Sequence, residues 1–105
     1  MSKKSENELA EAVITDVDLS KIPDGVYSGS SSIFPVKVQV EVNVQNNKII
    51  NIKIIKHDNG KGAKAEALTQ EVIKAQSLNV DAISGATTSS KAILKAIENA
   101  LNNSN

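Results

Sequence analysis

The sequence predicts an α+β fold, in which a small antiparallel sheet built on a Val/Ile hairpin packs against two helices. Three observations carry this. Val36, Val38, Val40, Val42 and Val44 alternate with Lys37, Gln39, Glu41 and Asn43, the period of a strand with one buried and one wet face. Ile50, Ile52 and Ile54 repeat that period after the polar break Gln45-Asn46-Asn47. Downstream, apolar residues recur at helical spacing instead, first Ala65, Leu68, Val72 and Ala75, then Ile93, Leu94, Ile97, Ala100 and Leu101. Strands followed by two helices is an α+β order.

Taken in order, residues 1–23 read as an N-terminal arm and connecting segment. Glu6 to Val13 is rich in Glu and Ala and weakly helical, and Pro23 with Asp24-Gly25 marks a turn. Val26 to Ser30 is a short strand in which Gly29 suggests a bulge or a loop opening. The hairpin poses a question of parity. A two-residue turn at Asn46-Asn47 sets Val44 against Ile49, which leaves Ile50, Ile52 and Ile54 on the opposite face from the valines. A three-residue loop sets Val44 against Lys48 and Val42 against Ile50, joining the apolar faces. An odd loop is therefore expected, with Asn47 left-handed and Ile49 and Ile55 on the other face.

A polar, glycine-bearing loop, His57-Asp58-Asn59-Gly60-Lys61-Gly62, leads to a helix over about 63–76. Leu78 to Val80 is extended, and the last helix is expected over about 89–101, packed with the first on the Val/Ile face. The main domain is expected to span 24–102, leaving 103–105 as a polar tail.

The chain has 105 residues, enough for one domain. Twelve basic residues balance twelve acidic ones and are dispersed, so the long-range field that nucleic acid binding needs is missing. The absence of cysteine removes disulfides, thiolate metal sites and cysteine nucleophiles. His57, the single histidine, has no His or Cys partner with which to build a metal site. Gly60-Lys61-Gly62 lacks the spacing and the Lys-Ser/Thr ending of a phosphate loop. No Ser-His-Asp order stands out, and no catalytic residue is assigned. No apolar run is long enough to span a membrane, and Met1 to Glu8 has no signal-peptide core.

The densest chemical signal is Asp81-Ala82-Ile83-Ser84-Gly85-Ala86-Thr87-Thr88-Ser89-Ser90. It sets small residues and hydroxyls at a helix start, where backbone N–H groups lack intrahelical partners and carry partial positive charge. Helix capping alone favours Ser, Thr and Asp here. Gly85 and Ala86 add something capping does not need, room for another group to approach the backbone, and the run is then a phosphate seat with a hydroxyl beside it.

This run resembles the SGAT attachment motif of FMN-binding domains. The likeness extends from about residue 24 to 101, through Asp24-Gly25-Val26-Tyr27, His57-Asp58-Asn59-Gly60-Lys61-Gly62, Gln76-Ser77, Asp81 to Thr87, and Ser89-Ser90-Lys91-Ala92-Ile93. Similar domains occur in the sodium-pumping NADH:quinone reductase, in the related ferredoxin-dependent ion pump, and in exported bacterial electron carriers.

The resemblance implies FMN as cofactor, joined through its phosphate to Thr87 by a flavin transferase. It implies Asp81 as part of the transferase's recognition signal, Ser84, Gly85 and Ala86 as the backbone approach, and Thr88 beside the phosphate. It places the His57 loop next to the flavin ring, with Gly60 and Gly62 letting the loop fold over it. Where larger relatives carry a Glu-Thr-Pro-Gly type loop, this chain has the shorter Asn-Gly-Lys-Gly form. With only Tyr27 and Phe34 as aromatics, the ring would rest mainly on aliphatic residues, backbone, these two or His57. The implied role is electron transfer between redox partner proteins or within a membrane electron-transport complex, extracytoplasmic or at a membrane surface in the full-length protein. A small FMN-dependent reductase, or a non-redox binding module on the same fold, are the alternatives. The reductase would need a second pocket over the ring.

Overall fold

The computed structural model describes residues 17–33, 36–58, 67–81 and 87–103. A 3-10 turn, Leu19–Lys21, precedes strands β1 (Gly25–Ile33), β2 (Val36–Gln45) and β3 (Lys48–Asp58), and helices α1 (Leu68–Ala75) and α2 (Thr87–Asn102) follow. The three strands form one antiparallel sheet in the order β1-β2-β3. All five β2 valines are buried, as the alternation requires of a central strand covered on one face. Helix α2 packs across β1 and β2, and α1 packs against β3. The α+β fold is as expected.

The hairpin resolves its parity problem in another way than an odd loop. Asn46 and Asn47 form a two-residue turn, both left-handed at φ 53° and 60°, the geometry whose twist matches the flanking strands. Val44 therefore faces Ile49, not Lys48, and Gln45 faces Lys48. The phase is recovered inside β3. Asn43 faces Asn51 while Val44 faces Ile49, so Ile50 is the extra residue of a bulge. Ile49 thus enters the core at 2% exposure while Ile50 stands 47% exposed, the reverse of the expected assignment. The expectation failed because it assumed an unbroken strand. Ile52 is buried on the core face, and Ile55 is exposed.

Strand β1 is longer than the segment expected, and Gly29 has a different reason. A methyl group there would overlap the Ala96 carbonyl oxygen and the Ala100 backbone nitrogen. Gly29 is the point where α2 rests on the strand, backbone against backbone. Ala92, Ala96 and Ala100, four residues apart and fully buried, make the matching low ridge. Ser31 Oγ donates to the Ala92 carbonyl at 2.6 Å, and the Asn99 and Asn103 amides donate to the Ser30 and Ser28 carbonyls at 2.7 and 3.0 Å. These bonds cover an edge that would otherwise offer free carbonyls.

The first helix runs from Leu68 to Ala75 with Ala67 as the turn residue before it, and residues 63–66, expected within it, lie outside the described set. Leu68 and Val72 are buried as expected, whereas Ala75 is exposed. Gln76 ends α1 in the left-handed conformation, φ 52°. Its side-chain oxygen accepts from the Ile49 N–H at 2.7 Å, and its amide nitrogen donates to the carbonyls of Ile49 and Ile73 at 2.8 and 2.7 Å. A single side chain so takes the place of a paired strand at the β3 edge. On the other side of the turn, Asn47 Nδ2 lies 3.1–3.3 Å from the carbonyls of Leu19, Ser20 and Ile22, and Asp24 Oδ1 accepts from the Asn46 N–H at 2.9 Å. These contacts tie the segment before β1 to the hairpin and seat Ile22 in the core.

Candidate functional site

The contacts along α2 fix its direction. Ala92 meets Ser31, Ala96 and Ala100 meet Gly29, and Asn103 meets Ser28. The helix therefore runs antiparallel to β1, and its first residue lies toward the end of the sheet where β1 finishes, β2 begins and β3 finishes. Thr87 and His57, thirty positions apart in the chain, both lie toward that end.

The helix starts at Thr87, two residues before the expected Ser89, and so takes both threonines into its first turn. Thr87 and Thr88 are exposed, while Ser89 and Ser90 are buried. The first turn itself contains no acidic residue, and its N–H groups lack intrahelical partners. A phosphate at such a helix end gains about 0.3–1 kcal/mol when exposed and up to about 2 when partly buried. Two exposed threonines and the amides at the start of a sixteen-residue helix, with no acidic residue in its first turn, form a donor set that fits the phosphate of FMN.

Ser84, Gly85 and Ala86 lie outside the described residues, as do Gly60, Gly62 and Phe34. Asp81 is described and exposed. The chain leading to it is anchored, with Leu78 buried, the Asn79 N–H donating to Ser77 Oγ at 2.9 Å and the Val80 N–H donating to the Leu78 carbonyl at 2.9 Å.

His57 owes its orientation to a second bulge. Val40 faces Ile54 and Gln39 faces Lys56, so Ile55 is again an extra residue. Unbroken alternation from Ile52 and Ile54 would send His57 to the wet face. The bulge sends Ile55 and Lys56 there instead and leaves His57 opposite the buried Val38, on the side of the sheet that carries α2. The ring is half-buried, with Nε2 inside. Bulges re-aim side chains in this way beside functional sites. Tyr27 serves elsewhere. It faces Val42, nearer the other end of the sheet, and its hydroxyl donates to the Pro23 carbonyl at 2.5 Å.

Sequence reasoning did not reach two features. One is the Lys95–Glu98 ion pair on α2, 3.0 Å long with the Glu98 side chain buried; a lone Glu in an amphipathic helix carries no signal of burial. The other is a groove of about 300 Å³ lined by Ser30, Ser32, Lys37, Gln39 and Lys56 among others. It depends on register across three strands and had no pattern along the chain.

Comparison with known proteins bears on the family of the chain. The model of the FMN-binding domain family matches residues 34–102, which takes in β2, β3 and both helices. An uncharacterized protein of Treponema pallidum (strain Nichols) is 29% identical over 85 residues, covering 78% of this chain and 24% of that protein. The chain thus spans about a quarter of that relative's length. With two thirds of the chain matched and a helix start that suits a phosphate, the protein belongs to the FMN-binding domain family, and FMN is its cofactor.

Proposed function

We propose that FMN is attached covalently to Thr87 and that the loaded domain is an electron carrier. The observation that supports this most is the place of Thr87, an exposed hydroxyl on the first residue of α2, at the sheet end that His57 also occupies. In the attachment step, Thr87 Oγ1 forms a bond to the FMN phosphorus of FAD, the pyrophosphate P–O bond breaks, and AMP leaves. The hydroxyl proton passes to the flavin transferase, which supplies the base, so Thr87 needs none beside it. Asp81, exposed on its anchored segment, serves the transferase as a recognition contact.

Once bound, FMN supplies one- and two-electron chemistry. The chain's own residues hold it. The first-turn amides and Thr88 would donate to the phosphate and His57 would bound the ring region, and the resemblance adds Ser84, Gly85 and Ala86 toward the phosphate and Gly60 and Gly62 toward the ring. A covalent tether keeps the cofactor from being lost, which suits work at a membrane surface or outside the cytoplasm, among redox partner proteins or in a membrane electron-transport complex.

Co-expression with a flavin transferase, followed by a denaturing gel viewed for flavin fluorescence, tests the attachment. The fluorescent band is expected to survive in the wild type and in Thr88→Ala and to vanish in Thr87→Ala. A band that persists in Thr87→Ala refutes the assignment. Asp81→Ala is expected to load poorly while keeping its far-UV circular dichroism, and full loading removes Asp81 from recognition.

A further inference from the structure

Helix α2 shows water only a narrow stripe. Thr87, Thr88, Lys91, Lys95, Asn99 and Asn102 are exposed or half-buried, and the other ten residues of the helix are buried. Polar side chains in the middle of that stripe have partners. Lys95 pairs with Glu98 at 3.0 Å, and Asn99 donates to the Ser30 carbonyl at 2.7 Å. Lys91 differs from them. It is half-buried, yet among the described residues no ion pair or hydrogen bond holds its ammonium.

Its charge also stands where a helix favours a cation least. A helix N-terminus carries partial positive charge, so anions are stabilised there and cations at the C-terminus. Helix α2 has no acidic residue in its first turn and no basic one in its last. Lys91, in the second turn, adds to the positive charge of the helix start. A lysine that served only solubility would lose nothing at the other end of the stripe, where Asn102 stands.

Helix geometry carries that cation toward the attachment site. At 3.6 residues per turn, Lys91 lies about 40° round the axis from Thr87 and about 60° from Thr88, between the two and one turn on. Helix side chains lean toward the N-terminus, and residues three and four apart have Cβ atoms about 5–6 Å apart. The four-carbon stem of a lysine covers that gap. A group carried on the Thr87 hydroxyl, with Thr88 beside it, is therefore within reach of the Lys91 ammonium. Charge points the same way. A helix end is equivalent to about half an elementary charge, whereas a phosphate esterified on both sides carries a full negative one. The first-turn amides leave the remainder uncompensated, and a partly buried anion needs a partner.

We infer that Lys91 is that partner: its ammonium pairs with the phosphodiester that joins FMN to Thr87. The inference rests on the attachment reading and adds to it a binding residue that the helix start does not supply. In the unloaded chain Lys91 is an unbalanced cation. In the loaded chain it completes an ion pair, so the sign of its contribution to stability changes on loading.

The test compares wild type, Lys91→Met and Lys91→Arg, each unloaded and each loaded with FAD and a flavin transferase. Met keeps the apolar stem and removes the charge, and Arg keeps the charge. Without flavin, Lys91→Met should melt no lower than wild type. With flavin it should melt below loaded wild type, and Lys91→Arg should match wild type. NMR of protein labelled at the lysine Cε atoms gives a second readout. Loading should move the Lys91 Cε resonance and leave that of Lys95, already paired with Glu98, in place. The phosphorus resonance of the linked flavin should move in Lys91→Met and stay in Lys91→Arg. An equal loss of melting temperature in both forms of Lys91→Met, or an unmoved Lys91 Cε, overturns the inference. Slower loading with the resonances unchanged also overturns it, in favour of a contact with the transferase. A fluorescent band that persists in Thr87→Ala removes the attachment reading itself, whereas a band that needs Thr87, with Lys91 Cε unmoved, removes the ion pair alone.

Discussion

Gln76 is the most demanding single test of how this domain is held together. Its side chain makes three hydrogen bonds of 2.7–2.8 Å, two to the Ile49 backbone and one to the Ile73 carbonyl. At about 1 kcal/mol net for each, and with water able to reach part of a half-buried edge, Gln76→Ala should destabilise the domain by about 2–3 kcal/mol. The backbone adds a second term. Gln76 is left-handed at φ 52°, which costs a residue with a Cβ about 1 kcal/mol or more. Gln76→Gly loses the same hydrogen bonds but relieves that cost, offset in part by the freedom glycine adds to the unfolded chain. It should therefore recover about 0.5–1 kcal/mol relative to Ala. Gln76→Glu keeps the acceptor and loses both donors, turning a carboxylate toward two carbonyls, and should be no more stable than Ala at neutral pH. Urea unfolding followed by far-UV circular dichroism reads all three, and in a thermal melt the Ala variant should unfold about 10–20 °C below the wild type. An Ala variant within about 0.5 kcal/mol of wild type, or a Gly variant as unstable as Ala, refutes the account of the clasp.

Ile49→Ala should cost about 2–4 kcal/mol while Ile50→Ala stays within about 0.5; equal costs in urea unfolding would place both residues on one face and remove the bulge. Gly29→Ala should cost about 2–3 kcal/mol by forcing α2 off the strand, with loss of amide exchange protection along β1, and normal protection would deny the close approach. The Ser20 hydroxyl and N–H donate to Asp18 Oδ1 at 2.6 and 3.0 Å, and these bonds, the hydroxyl's first, hold the Asp18 carboxyl below its ordinary 3.8. A folded value below the unfolded one stabilises the protein above the ordinary pKa, and the contribution is lost as pH falls through the folded value. Ser20→Ala should raise the Asp18 midpoint in an NMR pH titration, and an unmoved midpoint would remove Ser20 as the cause.

Much of this protein was readable along the chain because its signals are local. Alternating valines state a strand with one covered face, and a stripe at 3.6-residue spacing states an amphipathic helix; each depends only on residues a few positions apart. The run around Thr87 was legible for the same reason, since small residues and hydroxyls before a helix are contiguous, and it led to the family that the comparison then matched over residues 34–102. That match begins just after β1, although β1 pairs with β2 over nine residue pairs and bears the α2 contact at Gly29.

What required three dimensions was every choice that distant parts of the chain make together. The apolar pattern alone pointed to an odd loop joining the hairpin faces. The left-handed pair Asn46-Asn47 imposed the tight turn, and the misphase had to be absorbed within β3, which decided that Ile49 and not Ile50 is core. The same kind of slip beyond Ile54 decided the face of His57. Gly29 looked like a break until Ala96 and Ala100 were brought against it, and Gln76 like an ordinary helix end until the Ile49 backbone lay within reach. Periodicity reports which side of an element avoids water, because burial is averaged over neighbours. It is silent on which partner fills that side, because packing and hydrogen bonding are settled atom by atom between segments the chain holds far apart.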